Sequence, residues 1–294
     1  MVPLAGAATG GWESHAPLPE PRTEVAAGIA RGELVVVGGF VASGANSARA
    51  DAYSAARNGW RRLPDLPVAV DHAAAASANG TIYVVGGYGG DRAPLDTVFA
   101  LGPNETWRRL ARLPDGRAAA AAAIVRGKLY VVGGIDGRRG LARVAFVLDL
   151  RTGRWARIPG PSPREHLAAA GGSTRVYAVG GRSAGIDTNT TRVEAYNPAT
   201  RRWTRVAPLP EARGGTGAAF LNGRVVSIGG EQPQGTIRSV YSYDPRANRW
   251  RRLADLPTPR HGLGVVAFRG RVYVAAGGPE PGLTVSGALE SLSP

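Results

Sequence analysis

The chain has 294 residues, a formal net charge of +14 and no cysteine. The lack of cysteine excludes disulfides, thiolate nucleophiles and cysteine-ligated metals. No stretch approaches the ~20 apolar residues that a transmembrane helix needs, so we expect a soluble protein. The first ten residues lack the basic region of a signal peptide. The compartment therefore stays open, and export with removal of a signal peptide is compatible with the sequence.

The positive charge is carried almost entirely by arginine, since only Lys128 among 36 basic residues is lysine. Together with abundant alanine and glycine, this bias is typical of a GC-rich bacterial genome. A basic surface attracts phosphate. Most aromatic residues, however, occupy repeat positions and are not free to stack on bases. We therefore expect no nucleic-acid partner.

The dominant feature along the chain is a repeated unit made of a turn glycine, a short apolar strand and a glycine pair. The pairs, including one Ala-Gly variant, recur every 47 to 49 residues at Gly38-Gly39, Gly86-Gly87, Gly133-Gly134, Gly180-Gly181, Gly229-Gly230 and Ala276-Gly277. All six tryptophans follow the same period, at Trp12, Trp60, Trp107, Trp155, Trp203 and Trp250. Such a period predicts a propeller or a solenoid.

The unit resembles the kelch repeat, with its paired glycines, spaced tryptophan and a turn such as Tyr243-Asp244-Pro245. The resemblance covers nearly the whole chain and implies an all-β, six-bladed β-propeller of four-stranded antiparallel blades. We expect one domain over 1–294. Its blades are expected at 20–66, 67–113, 114–160, 161–209, 210–256 and 257–294 plus 11–17. Residues 11–17 would be an N-terminal outer strand that joins the C-terminal blade and closes the ring.

Blade two illustrates the predicted strands. We expect strands at 73–78, 82–85, 97–101 and 106–110, with a tight turn at Asn79-Gly80. The alanine run at 118–123 has a high helix propensity. Its place in the repeat nevertheless predicts the inner strand of blade three, because tertiary context overrides propensity.

Arginine recurs at the position sixteen residues before each glycine pair, in the loop that enters the inner strand. Five copies carry it, at Arg22, Arg117, Arg164, Arg213 and Arg260, and the sixth has Val70. In a kelch-like propeller this loop opens at one mouth of the channel. The arginines either bond neighbouring carbonyls as part of the repeat or present planar forks to an anionic ligand. The second interpretation predicts an arginine-lined binding site that also includes His261.

Three of the four histidines lie in the same loops, at His72, His166 and His261. Three imidazoles on alternate blades could converge to hold zinc. His261 is one residue out of register with the other two, however, and neighbouring strand positions point to opposite faces. We therefore expect no bound metal and no cofactor.

Glu24, His72 and His166 are candidate catalytic residues because all three share one register. Both histidines follow a carboxylate, as Asp71-His72 and Glu165-His166, and such pairs can serve as acid and base. Because neighbours on a strand diverge, we do not expect direct bonds within either pair. Buried, mutually bonded ionisable groups at the mouth would favour catalysis, whereas a shallow mouth would favour binding.

The sequence leaves three functions open. The first is a noncatalytic scaffold that binds an anionic ligand, either a carboxylated carbohydrate or an acidic peptide. The second is an enzyme similar to the kelch sialic-acid mutarotases, an isomerase or lyase acting on a carboxylated sugar. The third is a scaffold for protein–protein interactions through variable loops. We expect a monomer, and the fold does not choose among the three functions.

Overall fold

The computed structural model describes residues 11–294. The first ten residues, which bear on export, lie outside the described part of the chain. The first half contains β1 (Trp12–His15), β2 (Ala26–Ala30), β3 (Glu33–Val37), β4 (Ala50–Ser54), β5 (Gly59–Arg62), β6 (Ala74–Ala78), β7 (Thr81–Val85), β8 (Val98–Leu101), β9 (Trp107–Arg109), β10 (Arg117–Ala118), β11 (Ala121–Val125), β12 (Lys128–Val132), β13 (Ile135–Asp136), β14 (Val144–Asp149) and β15 (Arg154–Pro159).

The second half continues the same pattern and adds one short 3-10 helix at Ile186–Thr188. Its strands are β16 (Ala168–Gly171), β17 (Val176–Val179), β18 (Val193–Asn197), β19 (Arg202–Arg205), β20 (Gly217–Leu221), β21 (Arg224–Ile228), β22 (Glu231–Gln232), β23 (Gly235–Thr236), β24 (Val240–Asp244), β25 (Arg249–Arg252), β26 (Gly264–Phe268), β27 (Arg271–Ala275) and β28 (Leu289–Leu292). Within residues 11–294, no helix is long and apolar enough to cross a membrane.

These strands form six four-stranded antiparallel sheets, which are blades one to six in chain order. The strand orders are β2-β3-β4-β5, β6-β7-β8-β9, β11-β12-β14-β15, β16-β17-β18-β19, β20-β21-β24-β25 and β26-β27-β28-β1. Two further two-stranded pairs, β10-β13 and β22-β23, lie in the connecting segments. The prediction of an all-β, six-bladed propeller is confirmed.

The strands of blade two lie within a residue or two of their predicted bounds, but the predicted inner strand of blade three needs a correction. That strand begins at Ala121, and Arg117–Ala118 forms the separate β10. Ala119 between them has a φ of 48°. This left-handed backbone interrupts the strand that the alanine run had predicted.

The N-terminal strand β1 is the outer strand of blade six. Trp12 pairs with Leu292 and His15 with Leu289, in antiparallel register. The indole of Trp12 also donates a 3.1 Å hydrogen bond to the carbonyl of Ala254. The first and last described strands therefore lie in one sheet.

Every tryptophan of the repeat donates from its outer strand to a backbone carbonyl at or just after the end of the outer strand of the preceding blade. The acceptor lies 43 to 44 residues earlier in sequence, except for Trp12 of blade six, whose acceptor is Ala254 after β25 of blade five. Trp60 donates to Ala16 at 2.7 Å, and Trp107 to Pro64 at 2.8 Å. The same bond recurs for Trp155, Trp203 and Trp250. The tryptophan period therefore reflects a contact between neighbouring blades.

The glycine pairs are required where neighbouring blades come together. The second residue of each pair donates its N–H to a carbonyl of the next blade, as from Gly87 to Arg117 at 2.8 Å. From blade six to blade one, Gly277 donates to Arg22, also at 2.8 Å. A Cβ on Gly86 would lie 2.1 Å from the Arg117 carbonyl oxygen. At Gly86 a side chain would therefore require a shift of the backbone.

The hydrophobic core lies between the blades. Six clusters of buried residues each combine side chains of two neighbouring blades. Leu34 and Tyr53 of blade one, for example, share a cluster with Tyr273 and Leu289 of blade six. Each blade therefore buries its faces only against its neighbours, as in other repeat architectures.

Candidate functional site

The five repeated arginines are buried inside the blades, and we call them the latch arginines. Their exposed fractions are between 0% and 2%. Arg164 illustrates their role, because it donates to the carbonyl of Gly180 at 2.7 Å and to the carboxylate of Glu194. The sixteen-residue spacing thus corresponds to a hydrogen bond within the blade. The expectation that Arg22, Arg117, Arg164, Arg213 and Arg260 line the mouth is corrected, because the protein itself surrounds these guanidinium groups.

The latch arginines have two kinds of partner in the third strand of their blades. In blades one, four and six the partner is a carboxylate, in the pairs Arg22–Asp51, Arg164–Glu194 and Arg260–Glu290. In blades three and five it is an aromatic ring, in the pairs Arg117–Phe146 and Arg213–Tyr241. In these two blades the arginine also pairs with a carboxylate two residues before it in sequence, which is Asp115 for Arg117 and Glu211 for Arg213.

Blade two has an apolar version of the same contact. Val70 and Phe99 are both buried and belong to the same hydrophobic cluster. A buried ion pair and a well-packed apolar pair can be of similar stability. Burial lowers the pKa of Arg22 to about 10, although the charge of Asp51 opposes the shift. The latch arginine therefore stays protonated at neutral pH.

Two residues after each latch position, the chain forms a ring around the channel mouth, which we call the mouth ring. Its members are Glu24, His72, Ala119, His166, Gly215 and Gly262, with φ between 48° and 61°. Each N–H from His72 to Gly262 donates to the carbonyl of the preceding member, at 2.9 to 3.1 Å. Val25 closes the circle with a 3.2 Å bond to the carbonyl of Gly262. The left-handed backbone and these bonds fix the position of all six residues.

The channel below the mouth ring is divided into two cavities. The mouth ring lines the upper one, of about 130 Å³. A lower cavity of about 350 Å³ opens toward the opposite end. Six residues with small side chains line both cavities, namely Ala27, Ala75, Ala122, Ala169, Ala218 and Val265. The upper cavity, with its ionisable groups, is the candidate functional site.

Three side chains of the mouth ring meet, and we call Glu24, His72 and His166 the mouth cluster. The Nε2 atoms of His72 and His166 lie 3.0 Å apart. Oε2 of Glu24 lies 3.3 Å from Nε2 of His72. The ligand atoms of all three residues lie within 4.8 Å of one another. The structure thus brings together the three residues that shared one register in the sequence.

Each histidine of the mouth cluster contacts the carboxylate that precedes it. Nδ1 of His72 bonds Asp71, and Nδ1 of His166 lies 3.1 Å from Oε1 of Glu165 without the alignment of a hydrogen bond. The expectation that sequence neighbours diverge was therefore wrong. Strand alternation requires extended backbone, and both histidines have a φ of about 50° instead.

Two arginines hold these carboxylates in place. Arg92 donates to Asp71 at 2.7 Å. Arg182 contacts Glu165 at 3.1 Å and Glu231 at 2.8 Å. The sequence analysis missed both arginines, although Arg182 directly follows a glycine pair.

The residues that directly follow the glycine pairs form a second set at the mouth, and the repeat pattern could have predicted this set. It holds Phe40, Tyr88, Ile135, Arg182, Glu231 and Gly278, and each forms a bridge to the segment that enters the inner strand. Phe40 and Tyr88 contact the His72 ring edge-on, at 5.8 and 5.7 Å between centroids. The guanidinium of Arg92 lies 4.2 Å from the centroid of Tyr88. These residues pack around His72, which lines the upper cavity.

His261 does not join the other two histidines. Its Nδ1 lies 3.2 Å from Oε1 of Glu24, and its Nε2 lies 3.0 Å from the carbonyl oxygen of Gly282. It is also only 3% exposed, so its predicted part in an exposed binding site is corrected. The one-residue register difference explains this placement, because His261 occupies the position of Asp71 and Glu165. Its role here is to orient Glu24.

The two histidines of the mouth cluster have opposite pKa shifts. Burial lowers the pKa of His166, and the Glu165 contact opposes this only partly. Burial would also lower the pKa of His72, but the charges of Glu24 and Asp71 outweigh it and raise the pKa. For Glu24, burial is outweighed by His72 and His261, so its pKa is lowered. These shifts favour an ionised Glu24 and place a proton on His72 in preference to His166.

This arrangement can move or hold charge in two ways. A protonated His72 can donate from Nε2 to the lone pair on Nε2 of His166, so that the pair shares one proton. Alternatively, the two Nε2 lone pairs and the Glu24 carboxylate can be directed at a single cation. Buried, mutually bonded ionisable groups with shifted pKa values are typical of functional sites.

Comparisons with known proteins agree with the fold. A family profile described as the KLHDC2/KLHL20/DRC7 Kelch-repeats domain matches residues 104–278, and a Kelch motif profile matches residues 71–114. The chain is therefore a β-propeller built of Kelch repeats. It belongs to the Kelch-repeat family.

Individual relatives match only part of the chain. Kelch-like protein terF of Aspergillus terreus is 30% identical over 95 residues, which is 32% of this chain and 21% of that protein. Kelch-like ECH-associated protein 1A of Danio rerio is 37% identical over 57 residues, 19% of this chain and 10% of that protein. The matched segments thus span a tenth to a fifth of these relatives. A solved structure titled "Structure of YjhT" has a TM-score of 0.78 at 16% identity, covering 94% of this chain and 96% of that one. This likeness supports the fold alone.

Proposed function

We propose that the protein binds a small carboxylate-bearing molecule, of the carboxylated carbohydrate class, at the mouth of its channel. In this proposal residues 11–294 act as one domain. The latch arginines contribute only to the fold, because they are buried and engaged within their blades. The cation that contacts the ligand is Arg92.

The observation that carries the proposal is the state of Arg92. Its side chain is 50% exposed, whereas the carboxylate of Asp71 that it contacts is fully buried. Only Nη1 of Arg92 is engaged, and no residue of the described chain accepts a hydrogen bond from its Nη2 or Nε. Arg92 is linked to the cavity through Asp71, which bonds the cavity-lining His72. A guanidinium with free donors matches the planar geometry of a carboxylate.

The surroundings of Arg92 favour a sugar acid over a peptide. Tyr88 and Phe40 offer aromatic surface beside the guanidinium, which suits a ligand with apolar C–H faces. The upper cavity of about 130 Å³ is smaller than the ~300–1,000 Å³ of a drug-sized pocket. It can receive a carboxylate or one edge of a sugar ring, and a folded peptide would not enter it.

A binding experiment with paired ligands tests the proposal. We expect glucuronate, galacturonate or sialic acid to raise the unfolding temperature, because a ligand specific to the folded state stabilises it. Neutral glucose and galactose serve as matched ligands without a carboxylate, and they should give no shift. Binding of an acidic peptide but of no sugar acid would contradict the proposal.

A pair of variants locates the site. Arg92→Ala should weaken binding of the sugar acid by ~10- to 100-fold, since a hydrogen bond to a charged group contributes ~1.5–3 kcal/mol. Arg109→Ala is the matched control, because Arg109 also lies over an aromatic ring, 5.7 Å from the centroid of Phe99, on an outer strand. It should bind normally. Equal affinities of Arg92→Ala and the wild type would place the ligand elsewhere.

A second candidate function is isomerisation of a carboxylated sugar at its anomeric carbon. It is favoured by the opposite pKa shifts of two imidazoles whose Nε2 atoms lie 3.0 Å apart. His166 would accept the proton of the anomeric hydroxyl while His72 protonates the ring oxygen as the ring C–O bond breaks. Ring closure on the other face would return both protons.

Magnetisation exchange between the two anomers in NMR spectra measures this activity directly. The protein should accelerate anomer exchange of the bound sugar acid, and His166→Asn should lose the acceleration while keeping affinity for the sugar. Exchange at the rate of buffer alone would exclude the isomerase and leave the binding scaffold.

A further inference from the structure

We propose that Glu24, His72 and His166 form a binding site for one divalent transition-metal ion at the channel mouth. The three residues come from blades one, two and four, and they meet only in the folded ring. The proposal departs from the sequence-based expectation of no metal. It does not depend on which organic ligand the mouth accepts.

The separations between the donor atoms agree with a shared ion. When metal–ligand bonds are ~2.0–2.1 Å long, neighbouring ligand atoms lie about 3.0 Å apart in an octahedron and about 3.3 Å apart in a tetrahedron. The two Nε2 atoms are separated by 3.0 Å, and Nε2 of His72 is 3.3 Å from Oε2 of Glu24. Two of the three donor separations therefore already match one shared ion, and the third, between Glu24 and His166, is at most 4.8 Å.

The partners of the two histidines are those of metal ligands. Metal-binding histidines almost always donate their other ring N–H to a carboxylate or carbonyl, which fixes the tautomer. Asp71 takes Nδ1 of His72, and Glu165 lies at Nδ1 of His166. In both cases Nε2 is left to face the centre of the ring. His72 has this hydrogen bond, whereas for His166 the carboxylate of Glu165 lies within reach of Nδ1, at 3.1 Å, without being aligned for one.

The third donor is oriented in the same way. His261 holds Oε1 of Glu24 at 3.2 Å, so that Oε2 is the oxygen that faces His72. The backbones of all three donors are fixed by the bonds of the mouth ring. The site is therefore organised before any ion arrives, which favours binding.

The remaining members of the mouth ring leave the ion accessible. Ala119, Gly215 and Gly262 have little or no side chain and line the same cavity. Two imidazoles and one carboxylate occupy three positions and leave others for water or an oxygen ligand. This donor set suits Zn²⁺, Co²⁺ or Fe²⁺ and does not suit Mg²⁺, which prefers oxygen ligands.

Metal titration of the whole chain tests the inference. The untagged protein is treated with a chelator, dialysed and titrated with ZnCl₂ in a calorimeter, and CoCl₂ is followed by visible absorption. We expect one Zn²⁺ per chain and a Co²⁺ spectrum that reports nitrogen and oxygen ligands in a low-symmetry site. MgCl₂ should give no heat. Absence of saturable Zn²⁺ binding at one per chain would overturn the proposal.

Variants assign the ligands. His166→Asn removes Nε2, and asparagine tolerates the left-handed backbone at this position. It should weaken Zn²⁺ binding by more than ~100-fold, because even loss of an outer carboxylate costs ~10- to 100-fold. Asp71→Asn, which removes such an outer carboxylate, should weaken Zn²⁺ binding by ~10- to 100-fold. His15→Asn is the control, since His15 lies on the outer strand β1 and bonds Ser291.

Circular dichroism of each variant in chelator checks its folding. If His166→Asn does not fold, Glu24→Gln provides the same comparison at another ligand. Normal Zn²⁺ affinity in a folded ligand variant, or an equal loss in His15→Asn, would contradict the site. Since a bound ion occupies both Nε2 lone pairs, stoichiometric Zn²⁺ would also exclude the isomerase described above while leaving the carboxylate-binding proposal intact.

Discussion

Two regions of this propeller lie only two residues apart in every repeat, and they differ in what they do. The latch position carries arginine in five of six copies and is buried in all of them. The mouth ring carries glutamate, histidine, alanine, histidine, glycine and glycine. The repeated residue ties strands together within its own blade, whereas the position that varies from copy to copy forms the site.

The difference has a physical origin. Each blade is held by the same contacts among its own strands and with its neighbours, so the residues that make these contacts repeat. A site on the axis faces one ligand from six directions, and a ligand without sixfold symmetry requires different groups in each direction. In a single repeat protein, the copies that depart from the pattern are therefore the better guide to function.

The largest expected effect is the loss of a latch. Arg164→Ala leaves the buried carboxylate of Glu194 without its partner, and breaking such a pair costs ~3–5 kcal/mol. Urea denaturation should show this decrease in the free energy of unfolding. An unchanged midpoint would mean that the latch does not stabilise the blade.

Blade two supplies a compensating variant. The double substitution R164V/E194F copies Val70 and Phe99, the apolar pair of that blade. It should recover part of the stability that R164V alone loses, since it removes both buried charges together. A double variant less stable than R164V would break the proposed equivalence of the two contacts.

A smaller effect is expected from glycines of the mouth ring. A Cβ at Gly262 would lie 2.6 Å from Oε1 and 2.7 Å from the backbone nitrogen of Glu24, whereas at Gly215 the nearest atom would be 3.3 Å away. Their φ values of 58° and 61° are similar. Gly262→Ala should therefore cost ~1–3 kcal/mol through overpacking, and Gly215→Ala less. Equal unfolding midpoints for the two variants would contradict the tight packing of Glu24 on Gly262.

The latch should also respond to acid. Burial would raise the pKa of Glu194, but the charge and hydrogen bond of Arg164 outweigh it and lower the pKa below the usual 4.5. A carboxyl group with a lowered pKa stabilises the fold above its unfolded value, and this stability is lost as the pH falls. The free energy of unfolding should decrease below about pH 4.5, and less steeply in Glu194→Gln. Identical pH profiles would contradict the assignment.

The smallest effect on stability is expected at Arg92. Arg92 pairs with Asp71 but is half exposed, and such pairs contribute ~0–1 kcal/mol. Arg92→Ala should leave the unfolding midpoint nearly unchanged while it weakens sugar-acid binding. A loss of stability as large as that of Arg164→Ala would remove the distinction between the two regions.

The fold could be predicted because its determinants are local and repeated. The glycine pairs and tryptophans mark contacts that recur in every copy, so their period gave six blades. The alanine run of blade three was misassigned at its start because nothing in the sequence signals the positive φ of Ala119.

The site was predicted in its members but not in its geometry. Register alone grouped Glu24 with His72 and His166. The left-handed backbone that lets His72 bond Asp71 and the reach of Arg92 and Arg182 depend on loops whose course no pattern describes. The sequence left two interpretations of the latch arginines open, a structural one and a ligand-binding one. Their repetition in five copies could have favoured the structural interpretation.

Thermal unfolding of Arg164→Ala and His166→Asn, each with chelator and with ZnCl₂, tests the central claim most directly, because the two residues lie two positions apart in one blade. We predict that Arg164→Ala unfolds at a lower temperature and is still stabilised by Zn²⁺, whereas His166→Asn unfolds near the wild-type temperature and is not stabilised. The opposite pattern, with Zn²⁺ stabilising His166→Asn but not Arg164→Ala, would contradict the division between a repeated latch and a varied mouth.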